Sequence, residues 1–120
     1  MPRVPWIYLS PHLDDVSFSC GGLLWEQGKM GEEVEIWTIC AGDPPEGPFP
    51  SFAESLHQNW GTGSQTPAQR RQEDEKACAA LGAKPRWFEI PDCIYRRHPE
   101  SGEALYNSSA AVFGAIHTME

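Results

Sequence analysis

A chain of 120 residues, 40% of them hydrophobic, holds one domain with a modest core. Its net charge of −8 and pI near 4.9 argue against nucleic acid or an anionic membrane as partner, because a phosphate-rich surface attracts a basic face. No apolar run approaches the ~20 residues of a membrane span, and the N-terminus lacks the basic and long apolar segments of a signal peptide, so a cytoplasmic protein is expected.

Residues 4–9 form a short apolar run, β-branched and aromatic enough for a buried strand, which Pro11 stops. His12 and Asp15 follow, three apart in a turn that enters a helix. Both can face one point there, as the nitrogen and oxygen ligands of a divalent metal. Asp14 must then point elsewhere, and a carboxylate beside a metal is what a water-activating hydrolase needs as a base. Ligands of open α/β sheets bind beyond the carboxyl ends of the strands, where this turn lies. The two acids would also serve as helix cap and first-turn residues, the commoner role of Asp at such a place.

The first helix is predicted over 16–27, capped by Asp14 or Asp15, with Gly21-Gly22 marking close backbone packing. After a turn at 28–31, alternation over 33–41 predicts a second strand, and strand, helix and strand with short links make a right-handed βαβ unit. Residues 42–50, rich in Pro and Gly, leave the same rim as a pocket wall or a plain surface loop. Ser51 to Glu54 has the form of a capping box opening a helix to Trp60, in which His57 is a candidate pocket residue or, more commonly for a helical histidine, half-exposed. Residues 62–65 are linker, and Thr66-Pro67 starts a helix that Gly82 ends. The charges of that helix are expected to form a solvated face, with an arginine able to reach a substrate.

A third strand over 86–91 ends at Asp92, another acid on the rim, and a final helix runs from a Ser108 cap to Ile116. Cys20, Cys40 and Cys78 are expected to be reduced and buried, since no Cys-x-x-Cys pair occurs; Cys93 is left open. Together the elements predict an α/β fold, a Rossmann-like parallel sheet with flanking helices. Three strands make an incomplete sheet of this type, so residues 1–120 are expected to be the front part of a single truncated domain.

The pattern Ser10-Pro11-His12-Leu13-Asp14-Asp15, followed by Gly21-Gly22, resembles the signature of the LmbE-like, or PIG-L, family of metal-dependent N-acetyl-sugar deacetylases, with Leu13 in place of the usual proline. Arg70-Arg71-Gln72-Glu73 and Ile90-Pro91-Asp92 are similar to two further family segments, in the right order. The resemblance implies Zn2+ held by His12 and Asp15, Asp14 as catalytic base, and Arg70 and Asp92 at a small-molecule N-acetyl sugar substrate. The family's third ligand is a histidine after a later strand. No such segment follows here, and His117, in an apolar helical run without a partner histidine, does not fit that role.

Two other readings stand beside this one. A receiver-type signalling domain also carries an acidic pair after its first strand, but its late lysine has no counterpart, since Lys29, Lys76 and Lys84 all precede the end of the third strand. A non-catalytic or truncated metal- or sugar-binding fragment of the deacetylase fold accounts for the missing ligand.

Overall fold

The computed structural model describes residues 3–61 and 66–120. Its elements are β1 (Trp6–Ser10), α1 (Asp15–Lys29), β2 (Val34–Thr38), α2 (Ser51–Asn59), α3 (Thr66–Leu81), β3 (Lys84–Trp87), a 3-10 turn (Cys93–Tyr95) and α4 (Ser109–Val112). The strands form one parallel sheet in the order β1-β2-β3. Tyr8 lies opposite Ile36, and Ile36 opposite Pro85. This is the expected α/β arrangement.

Side chains alternate across a strand, so Val34, Ile36 and Thr38 of β2 point to one side, where all three are buried. Val16 and Leu24 of α1, Cys78 of α3 and Ala83 close over them to make the core. The other side of the sheet carries Ile7 and Leu9, both exposed, Leu9 at 65%. There Arg86 stacks 4.5 Å from the Trp37 ring centroid.

Neither expected cap of α1 forms. Asp14 occupies the cap position at φ +74° without a side-chain cap bond, and the Asp15 carboxylate instead accepts the backbone N–H of His12 at 2.9 Å. The helix kinks at Cys20, beside Gly21-Gly22, the kind of pair at which helices bend. Close backbone approach occurs at Gly28 rather than at that pair: a Cβ there would sit 3.4 Å from the Leu81 carbonyl oxygen, whereas Gly22 faces open space.

The capping box at Ser51 is also absent. Pro50 holds the cap position, with φ at −54°, and no side chain caps the helix. α3 stops at Gly82 as expected, with φ +74° and Ala83 N–H donating to the Cys78 carbonyl at 2.9 Å. The predicted linker at 62–65 and the capping side chain of Thr66 lie outside the described residues. Asp74 departs from the solvated face expected of α3: it is buried and accepts the Trp87 Nε1–H at 2.9 Å.

β3 is shorter than predicted. The chain beyond it stays against the 41–42 segment, Gly42 N–H donating to the Ile90 carbonyl at 3.0 Å. A Cβ on Gly42 would lie 2.6 Å from the Glu89 carbonyl carbon, so glycine permits this approach. The approach carries the chain across the rim to Asp92. Ser108 caps α4 as expected, accepting from Ala111 N–H at 3.1 Å. The helix nevertheless ends at Val112, short of Ile116, because Gly114 disfavours its continuation.

All four cysteines are free, but only Cys78 is fully buried; Cys20, Cys40 and Cys93 are half-buried. Among the described residues no helix is long and apolar enough to cross a membrane.

Candidate active site

Four of the five predicted site residues, His12, Asp15, Arg70 and Asp92, line one cleft at the carboxyl ends of the strands. β1 ends in Ser10, which is buried and whose hydroxyl donates to the His12 carbonyl at 2.5 Å, tightening the turn. The bond from His12 N–H then turns the Asp15 carboxylate back toward the His12 ring, with Nδ1 and Oδ2 3.7 Å apart. Asp92 approaches the other ring nitrogen from beyond β3, at 3.4 Å from Nε2. Its own carboxylate caps the 3-10 turn by accepting from Ile94 N–H at 3.3 Å, which fixes it at the rim.

Asp14 turns away from that pair toward α3. Burial pushes its carboxyl above the ordinary value; Arg70 opposes the rise, and Asp74, Glu73 and Asp15 add to it. Arg70 also donates to the Leu13 carbonyl at 3.2 Å, which ties α3 to the turn. The neighbouring Arg71 has a different task. It donates to the Ala41 carbonyl at 2.8 Å and to Asp43 at 2.7 Å, pinning the start of the 42–50 loop. Gly42, the first residue of that loop, lines a recess with Leu13, Arg70, Asp92 and Tyr95, whereas 43–48 run largely exposed along the surface.

A cleft of about 410 Å³ opens beside the acids, lined by His12, Asp15, Arg70 and Asp92 together with the apolar Phe52, Leu56, Trp60, Val112 and Phe113. The sequence did not point to these apolar residues as part of a site. His57 is buried rather than half-exposed. It is 2% exposed, and its Nε2 lies 2.6 Å from the Tyr95 hydroxyl, with Phe49 edge-on at 4.9 Å. Burial pushes the His57 pKa down, against Glu54, which raises it. Burial also raises the Tyr95 hydroxyl to about 12, with Asp92 adding and Arg70 opposing. A helical histidine that pairs 38 residues downstream leaves no local trace in sequence.

The donors at His12 and Asp15 fit a zinc ion as a pair. Two ligands at about 2.1 Å on a tetrahedral zinc stand roughly 3.4 Å apart, a spacing His12 meets with two carboxylates, Asp15 at 3.7 Å from Nδ1 and Asp92 at 3.4 Å from Nε2. Among the described residues no group of three or more His, Cys, Asp or Glu side chains is arranged to hold a metal. His117 is not part of the site: its backbone N–H bonds the Tyr106 hydroxyl at 3.0 Å.

Known proteins share this fold. The PIG-L family model, described as GlcNAc-PI de-N-acetylase, matches residues 7–116. The 2′-N-acetylparomamine deacetylase of Niallia circulans is 29% identical over 91% of this chain and 43% of its own length. The crystal structure of a deacetylase–teicoplanin complex matches with a TM-score of 0.77 at 32% identity, over 85% of this chain and 40% of that one. The zinc-inhibited form of teicoplanin deacetylase Orf2 gives 0.78 at 32% identity, over 85% of this chain and 38% of its own. The chain thus spans about two fifths of the length of the relatives it matches. A match that runs from β1 through α4 removes the receiver-domain alternative, and the chain belongs to the PIG-L, or LmbE-like, family.

Proposed function

We propose that this chain forms the metal-binding and base-bearing part of a zinc-dependent amide hydrolase. The reaction would remove the acetyl group from an N-acetylglucosamine-type amino sugar or its conjugate. One observation carries the reading. In the turn after β1, His12 and Asp15 face each other at 3.7 Å, while Asp14 between them is held at φ +74° with its carboxylate unused as a cap. Strained non-glycine backbone persists where its surroundings over-determine it, and it clusters at active sites.

In this reading His12 and Asp15 are the zinc ligands, and the ion would polarise the amide carbonyl and acidify a water molecule. Asp14 accepts the water's proton as the amide carbon is attacked. Its carboxyl, raised by burial, suits a base that holds a proton and then returns it to the departing amine. The products are acetate and the free amino sugar. Arg70, tied to the Leu13 carbonyl, and Asp92, beside His12, bind the sugar. A histidine–carboxylate donor pair favours zinc over magnesium. The reaction class is supported by relatives that are deacetylases, one of 2′-N-acetylparomamine and one in complex with teicoplanin. Residues 1–120 act as a single domain unit, the N-terminal part of this fold, and four free thiols suit the cytoplasm.

A second reading has its own support. Because no third donor joins His12 and Asp15 among the described residues, these residues would bind metal or sugar without turnover. Amine and acetate release from an N-acetylglucosaminide separates the two, measured on the chain or on any longer polypeptide that carries it. The hydrolase reading expects equimolar release that a chelator abolishes and zinc restores. Zinc or sugar binding without release supports the second reading, and the absence of zinc binding, sugar binding and release sinks both.

A further inference from the structure

One polar pair stands inside an otherwise apolar cluster. His57 of α2 is 2% exposed and Tyr95 is 4% exposed, and His57 Nε2 lies 2.6 Å from the Tyr95 hydroxyl. Ala53 and Ile94 pack with Tyr95, and Phe49 and Leu56 lie partly buried against them. The Phe49 ring meets the imidazole edge-on at 4.9 Å and stands 5.8 Å from the Tyr95 ring. Apolar side chains would fill this space without needing polar partners, and replacing a buried polar pair by apolar groups of like shape is commonly neutral or stabilising. What a buried hydrogen bond adds is direction: it admits one placement of the two groups where apolar contact admits several.

The placement matters because of what Tyr95 is attached to. It closes the 3-10 turn Cys93–Tyr95, and its backbone N–H donates to the Asp92 carbonyl at 3.0 Å. The Asp92 carboxylate caps the same turn, Oδ1 accepting from Ile94 N–H at 3.3 Å, and turns Oδ2 toward His12 Nε2 at 3.4 Å. Asp92 and Tyr95 therefore form one unit, and the far end of that unit is anchored on α2. His57 itself lines neither the recess shared by Leu13, Arg70 and Asp92 nor the cleft at His12. Its effect on the site passes through Tyr95.

We infer that His57 and Tyr95 are positioning residues, whose buried hydrogen bond fixes the 3-10 turn on α2 and so holds the Asp92 carboxylate in place beside His12. The inference rests on the amino-sugar reading for the role of Asp92 and adds the two residues that set its position. Binding side chains work when they are held to within about 0.5 Å, and the layer behind them is what holds them.

NMR titration of isotopically labelled protein with methyl N-acetyl-β-glucosaminide at neutral pH tests this on the native chain, on His57→Leu combined with Tyr95→Phe, and on His57→Gln. The double substitution leaves no orphaned polar group, so its melting temperature should stay close to that of the native chain. It should nevertheless bind the glycoside about fivefold more weakly. In the free protein the Asp92 carboxyl resonance should shift, while that of Asp43, which pairs with Arg71, stays in place. His57→Gln offers the Tyr95 hydroxyl a partner again and should bind within about twofold of native.

Native affinity in the doubly substituted protein overturns the inference, as does an Asp92 resonance that does not move. A loss shared equally by His57→Gln, or one that only follows a lower melting temperature, assigns the pair to stability alone and likewise overturns it. The Asp92 resonance is read without ligand. If it shifts as expected but the native chain does not bind the glycoside, the amino-sugar reading falls while the placement of Asp92 by His57 and Tyr95 stands.

Discussion

On the covered side of the sheet, β2 alternates so that Val34 and Ile36 meet Leu24 and Cys78, and Gly82 ends α3 with the backbone geometry glycine supplies. At the rim the local rules break: Asp14 sits in left-handed backbone without capping, His57 is buried in a short polar helix, and Phe113 stands in solvent. Where local preference and packing agree, the residues build stability; where they disagree, a tertiary partner or an exposed position at the rim accounts for the exception, as at functional sites. A third region belongs to neither. Parallel sheets are ordinarily covered on both faces, yet the side carrying Ile7 and Leu9 is open.

The sharpest test of this contrast separates turnover from stability at Asp14. In an active polypeptide carrying this chain, Asp14→Asn should lower amine release by about 10²–10⁴-fold, the usual contribution of a general base. Thermal stability should hold, because Asn tolerates left-handed backbone and carries no charge to be penalised by burial. Undiminished release would remove Asp14 from the mechanism. Leu24→Ala is the converse. Leu24 is fully buried, so denaturant titration should show a loss of ~2–5 kcal/mol, with the remaining folded protein binding metal as before.

A smaller effect is expected from His57. Burial lowers its pKa below the ordinary 6.5, so the folded state favours the neutral ring. This contribution is fully present above about pH 6.5 and is lost as pH falls toward the folded-state value. Urea midpoints followed from pH 8 to 5 should decline for the native chain and decline less for His57→Gln; parallel curves would show that another group carries the transition. Smallest of all is Leu9→Lys, which should change stability by no more than ~0.5 kcal/mol in denaturant titration. A large stability loss would mean that the open face is packed.

The sheet and its helices were legible because their signals are local. Alternation in β2, the apolar run of β1 and the glycine after α3 each act over a few residues. The turn after β1 was legible for the same reason, since His12, Asp14 and Asp15 lie within four positions. Asp74 and His57 were not, because their partners Trp87 and Tyr95 stand 13 and 38 residues away. Charged or polar side chains in a helix look solvated until such a partner is known. The Ser51 cap failed differently: Pro50 before it already sets the turn into the helix. The apolar lining of the cleft depends on how α2 and α4 meet the 3-10 turn, a relation no short window contains.

Zinc titration of the chain by calorimetry, with the native sequence beside His12→Ala, Asp15→Ala and Asp14→Asn, bears most directly on the central claim. One zinc per chain is expected, lost or greatly weakened in His12→Ala and Asp15→Ala and retained in Asp14→Asn. Retention of full affinity without His12, or its loss in Asp14→Asn, would contradict the division of that turn into two ligands and a base.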